Sequence, residues 1–332
     1  MKHVLIIGGA GYIGTVLTDH LLSSGHKVRS LDLFLYRNNH CVLPYLGRWG
    51  YESFYGDFCD TSVLDHAING ITDVVFLAGL VGDPITKKYP KASRAINDFG
   101  VRSAIRHLSG KGLNRLIFVS TCSNYGLINE EELADEDFEL KPLSLYAKAK
   151  VEAEQYLLSL NGKIDFTPTV LRFATAFGLS TRMRFDLTVS EFTRELALGK
   201  ELQVYDANTW RPYCHVRDFA RLITMVLDAS IEKVNFEVFN AGGEINNYTK
   251  KGIIEEIVNH LPDAKIKYEE HGTDPRNYRV NFDKVQKTLG FEPEYTVSEG
   301  IKELLMAFKN HTFDHVGEQK NLFGNYDLNY KS

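Results

Sequence analysis

The chain has 332 residues, 44% hydrophobic and 24% charged, with a formal net charge of −5. That length exceeds one minimal domain, and the balance is that of a globular protein, not of a disordered or fibrous one. The negative charge argues against a nucleic-acid surface, since phosphate backbones are held by clustered Lys and Arg.

The chain opens on Val4-Leu5-Ile6-Ile7, a run too short for a signal-peptide core or a membrane span, so a cytoplasmic location is expected. Gly8-Gly9-Ala10-Gly11-Tyr12-Ile13-Gly14 follows, a G-x-x-G-x-x-G between this strand and a predicted helix. There Gly8 permits a tight turn, Gly11 lets backbone approach a pyrophosphate, and Gly14 lets helix pack on strand. The helix N-terminus offers its free N–H groups to the phosphates. The next strand, 27–31, ends at Asp32, placed to accept hydrogen bonds from adenosine ribose hydroxyls. Its charge would repel an added ribose phosphate, so NAD is expected over NADP, with Arg37 nearby as the opposing signal. Gly56-Asp57-Phe58 follows a third strand and either caps the adenine or only turns the chain.

Further strands at 73–77, 116–120 and 169–173 alternate with amphipathic helices over 92–110 and 144–160, with Gly25, Gly112 and Gly162 as stops. Such a series requires a parallel sheet covered on both faces, a doubly wound α/β fold. The strand 116–120 runs into Ser120-Thr121-Cys122-Ser123-Asn124-Tyr125-Gly126, a hydroxyl-rich turn at the sheet edge where open α/β folds place their sites. Tyr146 and Lys150, four apart, share one face of the following helix. A phenol keeps its proton at neutral pH, but an ammonium and a positive nicotinamide ring beside it favour the phenolate. Tyr146 is thereby a candidate general base, and Thr121 a candidate partner for the oxygen on which it works. A lone Thr at a strand end otherwise caps a turn.

Past Gly178 the pattern loosens into a polar, basic stretch, 179–184, whose Arg182 and Arg184 face an acidic substrate or only solvent. Residues 215–240 read as helix then strand, so two domains interleave. A nucleotide-binding domain is expected over 1–178 plus about 215–242, and a smaller substrate-binding domain over about 179–214 plus 243–332. Residues from about 311 onward are polar and aromatic without period, a loose tail or a strap on a neighbour. Cys41, Cys59, Cys122 and Cys214 lack the spacing of a metal site or a disulfide framework, so no metal is expected.

In this order the motifs resemble the extended short-chain dehydrogenase/reductase family, also called the NAD-dependent epimerase/dehydratase family, over nearly the whole chain. The glycine loop is similar to the family's TGxxGxxG, with Ile7 in place of Thr. Leu77-Ala78 with Gly82-Asp83-Pro84 resembles its strand-four LAA segment, and Asn97 falls where its helix Asn braces the site. Thr121, Tyr146 and Lys150 match its catalytic residues. The resemblance implies a Rossmann-type domain that binds NAD through Gly8, Gly11, Tyr12, Ile13, Gly14, Asp32, Asp57, Phe58, Leu77, Ala78, Asn97, Tyr146 and Lys150. Trp210-Arg211-Pro212-Tyr213 with His215-Val216 is similar to the family's RDF(I/V)HV segment, and Asp274-Pro275-Arg276 to a downstream one. Arg211 and Arg276 are thus implied to meet a nucleotide diphosphate, which guanidinium groups bind in a bidentate way.

The implied first step is loss of a proton from a sugar hydroxyl to Tyr146 and of hydride to NAD, leaving a ketone. The family's 4,6-dehydratases follow the catalytic Thr with Asp and Glu; here Cys122 and Ser123 stand there, poor substitutes for carboxylates. The GDP-fucose synthase branch carries a Cys where this chain has Ser123. The expectation is a nucleotide-sugar epimerase working through a transient keto intermediate at C4. A 4-ketoreductase, which usually draws on NADPH, comes second, then a dehydratase, and remotely a non-catalytic NAD-binding scaffold. A homodimer through helices 92–108 and 146–160 is also implied.

Overall fold

The computed structural model describes residues 1–129, 131–270, 272 and 276–330. Val4 to Ile7 are fully buried in β1 (His3–Ile7), as a strand covered on both faces requires. The chain continues through α1 (Tyr12–Ser23), β2 (Lys27–Asp32), β3 (Tyr51–Tyr55), α2 (Thr61–Ile68) and β4 (Asp73–Phe76). Next come α3 (Asp83–Lys88), α4 (Pro90–Ser93), α5 (Val101–Leu108), β5 (Arg115–Thr121), α6 (Leu145–Leu158) and β6 (Thr167–Phe173). After β7 (Thr175–Phe177), α7 (Thr188–Ala197), β8 (Leu202–Tyr205) and β9 (Trp210–His215), the chain forms α8 (Val216–Asp228), α9 (Ile231–Val234) and β10 (Glu237–Ala241). It ends through β11 (Asn247–Thr249), α10 (Lys250–Val258), β12 (Ile266–Glu269), α11 (Asp283–Leu289) and α12 (Val297–Lys309).

Seven of these strands form one parallel sheet in the order β10-β6-β5-β4-β1-β2-β3. The winding reverses between β1 and β4, which opens a crevice beyond their carboxyl ends. Side chains alternate across the sheet. Val4 and Ile6 join a cluster with Leu17 and Phe219 on one face, and Leu5 and Ile7 one with Phe76 and Phe118 on the other. Two smaller sheets, β11-β9-β7 and β12-β8, surround a third cluster that includes Phe177, Val189, Ile253 and Ile301.

Two expectations need correction. The helix read over 92–110 is not uniform: between α4 and α5, residues Arg94–Gly100 form a π-helical turn, a device often found at functional sites. The segment after α12 is not loose but packs on the chain itself. Phe313 and Phe323 close an aromatic cluster with Phe185 and Phe308, and Leu328 and Tyr330 pack against the main core. Cys41, Cys122 and Cys214 are buried and Cys59 half-buried, all four as free thiols. Among the described residues no helix is long and apolar enough to cross a membrane, and no group of three or more His, Cys, Asp or Glu could hold a metal ion.

Candidate active site

A cavity of about 390 Å³ lies beyond the carboxyl ends of the strands, and every predicted site residue except Asn97 lines it. Asp274 and Pro275, part of the motif that suggested Arg276, lie outside the described residues.

The glycine loop forms one wall. Gly8 has φ +92°, and a Cβ there would lie 2.8 Å from the Ala78 nitrogen. A Cβ on Gly14 would lie 2.4 Å from the Gly8 carbonyl oxygen and 2.8 Å from the Gly9 Cα. No side chain caps the start of α1, so its first amides remain available to an anion. The Tyr12 hydroxyl donates to the Gly178 carbonyl (2.6 Å), tying this helix start to the residue that follows β7. Gly14→Ala forces backbone apart in a close-packed loop, an overpacking cost of about 1–3 kcal/mol. The variant is expected to unfold at lower denaturant and to bind dinucleotide more weakly, by fluorescence titration.

At the end of β2, Asp32 accepts from the Ala10 amide (3.0 Å) and the Phe34 amide (2.8 Å). Burial raises its pKa above the ordinary carboxylate value, and the two amide donors oppose that rise. Asn38 donates to the Ala10 carbonyl (2.8 Å), leaving its Oδ1 buried without a partner among the described residues, as is the Tyr36 hydroxyl. Both residues line the cavity. Such orphaned buried polar groups are rare in native interiors. The Asp57 carboxylate accepts from the Cys59 amide (2.9 Å) and the Tyr330 hydroxyl (2.9 Å). The close-packed glycines at Gly8 and Gly14 and the ribose-side acid together fit a dinucleotide such as NAD.

The reaction end is built on β5 and α6. Ser144 caps α6 by accepting from the Ala147 amide (3.1 Å), which fixes the first turn that carries Tyr146. One turn on, Lys150 is buried, donates to the Val119 carbonyl (2.7 Å) and lies 4.8 Å from the Phe118 ring centre. Burial lowers its pKa to about 8. Burial first, and then the Asp83 carboxylate, push the Tyr146 phenol well above its ordinary value. Thr121 accepts from the Ser123 amide (3.1 Å), closing the turn at the end of β5.

Beneath this turn runs a buried polar network. Ser120 donates to Glu154 Oε2 (2.8 Å), and Arg172 binds Glu154 Oε1 through Nε and NH2 (3.0 and 2.6 Å). Arg172 also donates to the Tyr125 hydroxyl (2.9 Å), which donates to Asn240 Oδ1 (2.7 Å). β5, α6, β6 and β10 are thereby locked together below the cavity floor. Asn97 works one step back as well: its Oδ1 accepts from the Leu80 amide (2.7 Å) and its Nδ2 donates to the Leu80 carbonyl (2.9 Å). It holds the loop after β4 that bears Gly79 (φ +151°), where a Cβ would lie 2.8 Å from that Oδ1.

On the far wall, Arg211 donates to the carbonyls of Trp210 (2.7 Å) and Arg276 and lies over the Tyr278 ring (4.9 Å). Arg276 pairs with Asp83 (2.8 Å) and donates to Ser123 (3.4 Å). Sequence reasoning left Arg182 and Arg184 open between substrate and solvent; both are buried and line the cavity. Arg184 makes a bidentate pair with Asp186 (2.6 and 2.7 Å). Burial lowers Arg182 to about 10, so it remains a cation at neutral pH. Their burial had a sequence signal: Met183 and Phe185 alternate with the charges in a way a solvated loop does not need. Asp186, Tyr278, Asn325 and Tyr330 also line the cavity and were not anticipated.

A parallel sheet with a glycine loop at its switch point and a Thr, Tyr and Lys set on the adjacent edge defines a dinucleotide-dependent enzyme class. Residues 4–242 match the model of the NAD dependent epimerase/dehydratase family, and the chain belongs to that enzyme family. It is 26% identical to a UDP-glucose 4-epimerase of Corynebacterium glutamicum over 337 aligned positions, covering 96% of this chain and 99% of that protein. Among solved structures it is similar to the UDP-glucuronic acid 4-epimerase of Bacillus cereus in complex with UDP-glucuronic acid and NAD, with a TM-score of 0.83 and 21% identity over 93% of this chain and 99% of that one. The dTDP-glucose 4,6-dehydratase DesIV of Streptomyces venezuelae, with NAD and TYD bound, gives a TM-score of 0.85 and 21% identity over 96% and 99%. At these identities the structural likeness speaks for the fold.

Proposed function

We propose that this chain is an NAD-dependent nucleotide-sugar epimerase that inverts C4 through a transient keto intermediate. The observation that carries the reading is one cavity lined by the glycine loop and Asp32, by Thr121, Tyr146 and Lys150, and by Arg211 and Arg276. Tyr146 removes the proton from the sugar hydroxyl, Lys150 supports the phenolate charge, and Thr121 steadies the oxygen as it becomes a carbonyl. When bound, NAD supplies the hydride acceptor and a positive ring that favours the phenolate. Arg211 and Arg276 hold the diphosphate, and Asp32 holds the adenosine ribose and disfavours NADP. Glycine-loop residues Gly8, Gly11, Tyr12, Ile13 and Gly14, with Phe58, Leu77 and Ala78, shape the rest of the cofactor wall.

Cys122, at the first position where dehydratases carry a carboxylate, turns into the core and donates to the Arg172 carbonyl (3.1 Å). Burial pushes its thiol well above the ordinary value, so it stays a neutral thiol and moves no proton during water loss. A UDP-sugar is the first substrate to try, because relatives named for UDP-glucose and UDP-glucuronate epimerisation align along nearly the whole chain. The reading includes a cytoplasmic homodimer, for which the exposed Phe99 and Leu145 beside α5 and on α6 offer an apolar face.

The purified protein is expected to carry NAD, seen by absorbance and fluorescence. Incubation with UDP- and GDP-hexoses should give a product epimeric at one carbon by NMR, without net cofactor consumption. Loss of water from the sugar, or turnover only with NADPH and a 4-keto sugar, overturns the proposal.

The lowered Lys150 adds a pH dependence. Its ammonium is present below about 8 and is lost as pH rises through that value. The phenolate of Tyr146 then loses its support, so kcat/KM should fall on the alkaline side with an apparent midpoint near 8. For stability the sign is opposite. The unfolded lysine stays protonated up to 10.5, so between the two values the unfolded chain binds more protons. The cost of burying this ammonium, in full force below 8, is relieved across that window. A rate that keeps rising through pH 9 would contradict the assigned role.

A further inference from the structure

We propose that the segment 320–330 completes the cavity and retains the cofactor, with Tyr330 as a wall of the adenine end and Asn325 as a wall of the reaction end. The inference rests on the NAD-binding reading above and adds residues far from every motif that suggested it.

Both side chains line the cavity, although the segment follows the last long helix and belongs to none of the three sheets. It is fastened on both sides of the opening. On the substrate side the buried Arg182 donates to the carbonyls of Asn321 (3.3 Å) and Gly324 (3.0 Å) and to Asn325 Oδ1 (3.3 Å). The Phe185 amide donates to the Phe323 carbonyl (2.8 Å), and the Asn325 amide to Asp186 (3.3 Å). Asn325 Nδ2 then reaches across to the Val81 carbonyl (3.1 Å), on the loop that leads to Asp83. On the nucleotide side Asp327 meets Lys88 (2.5 Å) and the Tyr89 hydroxyl (3.2 Å), and Tyr330 ends the run on Asp57 (2.9 Å).

These contacts bridge the two walls and leave the strap over the space between them. The exposed Lys88 pair adds little. Arg182 is the strong anchor, since a buried guanidinium held by carbonyl oxygens keeps those acceptors only while the strap is seated. The Tyr330 phenol is pushed above its ordinary value by burial and by Asp57, so it stays a donor and keeps the carboxylate side of this end closed. A carboxylate oxygen has a second lone pair, which leaves Asp57 able to accept an adenine amine as well. A dinucleotide lying between the glycine loop and Asp57 therefore leaves only when the strap lifts.

The test is NAD retention by the full-length protein, read as dinucleotide content after purification and as the rate of bound NADH release by fluorescence. Tyr330→Phe removes only the hydroxyl, and loss of a hydrogen bond to a charged group should speed release by about tenfold or more. Asn325→Ala should raise the sugar KM with a smaller change in NADH release, and a chain stopped after Gln319 should purify without cofactor. Circular dichroism of the substituted proteins checks that they fold. If wild type holds NAD and all three variants release it at the wild-type rate, the strap proposal is overturned. If wild type neither holds nor binds NAD, the reading of the cavity itself fails, and this inference with it.

Discussion

Tyr146→Phe is expected to lower kcat by about 10²–10⁴-fold, the contribution of a positioned acid–base group. The substitution keeps the ring and its packing at the cavity wall and deletes the one hydroxyl assigned to proton transfer, so bound NAD and the melting midpoint should stay close to wild type. The substrate KM should change far less than kcat, because Arg211 and Arg276 are assigned the diphosphate. Lys150→Met should lose a comparable share of kcat while releasing the buried ammonium's desolvation cost, and its alkaline limb should vanish. Single-turnover rates, read as NADH formation with a nucleotide sugar, separate this chemistry from product release. A Tyr146→Phe protein that turns over within tenfold of wild type removes Tyr146 from the proposed base role.

The second large effect is on stability. Glu154→Gln would leave Arg172 buried without its carboxylate, and breaking one side of such a pair costs about 3–5 kcal/mol. The network makes that range apt: Glu154 takes two bonds from Arg172, one from Ser120 and one from Asn124, all in the interior. The midpoint of urea unfolding should drop at unchanged slope, and activity measured well below the transition should fall too, because Ser120 directly precedes Thr121. Replacing both partners by apolar residues of similar volume should recover much of the stability, since the penalty lies in the uncompensated charge. An unshifted midpoint for Glu154→Gln would contradict this account.

The doubly wound sheet was legible because its cues are local. Val4 to Ile7 run as unbroken apolar strand, glycines follow at once, and Asp32 closes the next strand; each follows from chain geometry within a few residues. The Thr, Tyr and Lys set was equally readable, because Tyr146 and Lys150 share a helical face and Thr121 ends a strand. What escaped depends on contacts distant in sequence. Arg182 was open between an acidic substrate and solvent, and only Met183 and Phe185 hinted at burial. The aperiodic segment after 311 gave no sign of its seat, because its anchor is an arginine some 140 residues away, consistent with the separations of 139 and 142 for its bonds to Asn321 and Gly324. Asn97 was legible as a brace, but that it grips both polar groups of Leu80 from inside a π-helical turn required the fold.

The order of strands has a consequence for how the protein is made. β6 is buried along its whole length, yet its outer neighbour, β10, is encoded more than sixty residues later, since β6 ends at Phe173 and β10 begins at Glu237. A nascent chain emerging from the ribosome at about 5–20 residues per second therefore presents β6 as an unpaired apolar edge for seconds before its partner arrives. Such an edge is a template for pairing with another chain. Expression at high rate, or a stop codon ahead of residue 237, should send this protein into inclusion bodies through β6, whatever the quality of its finished active site.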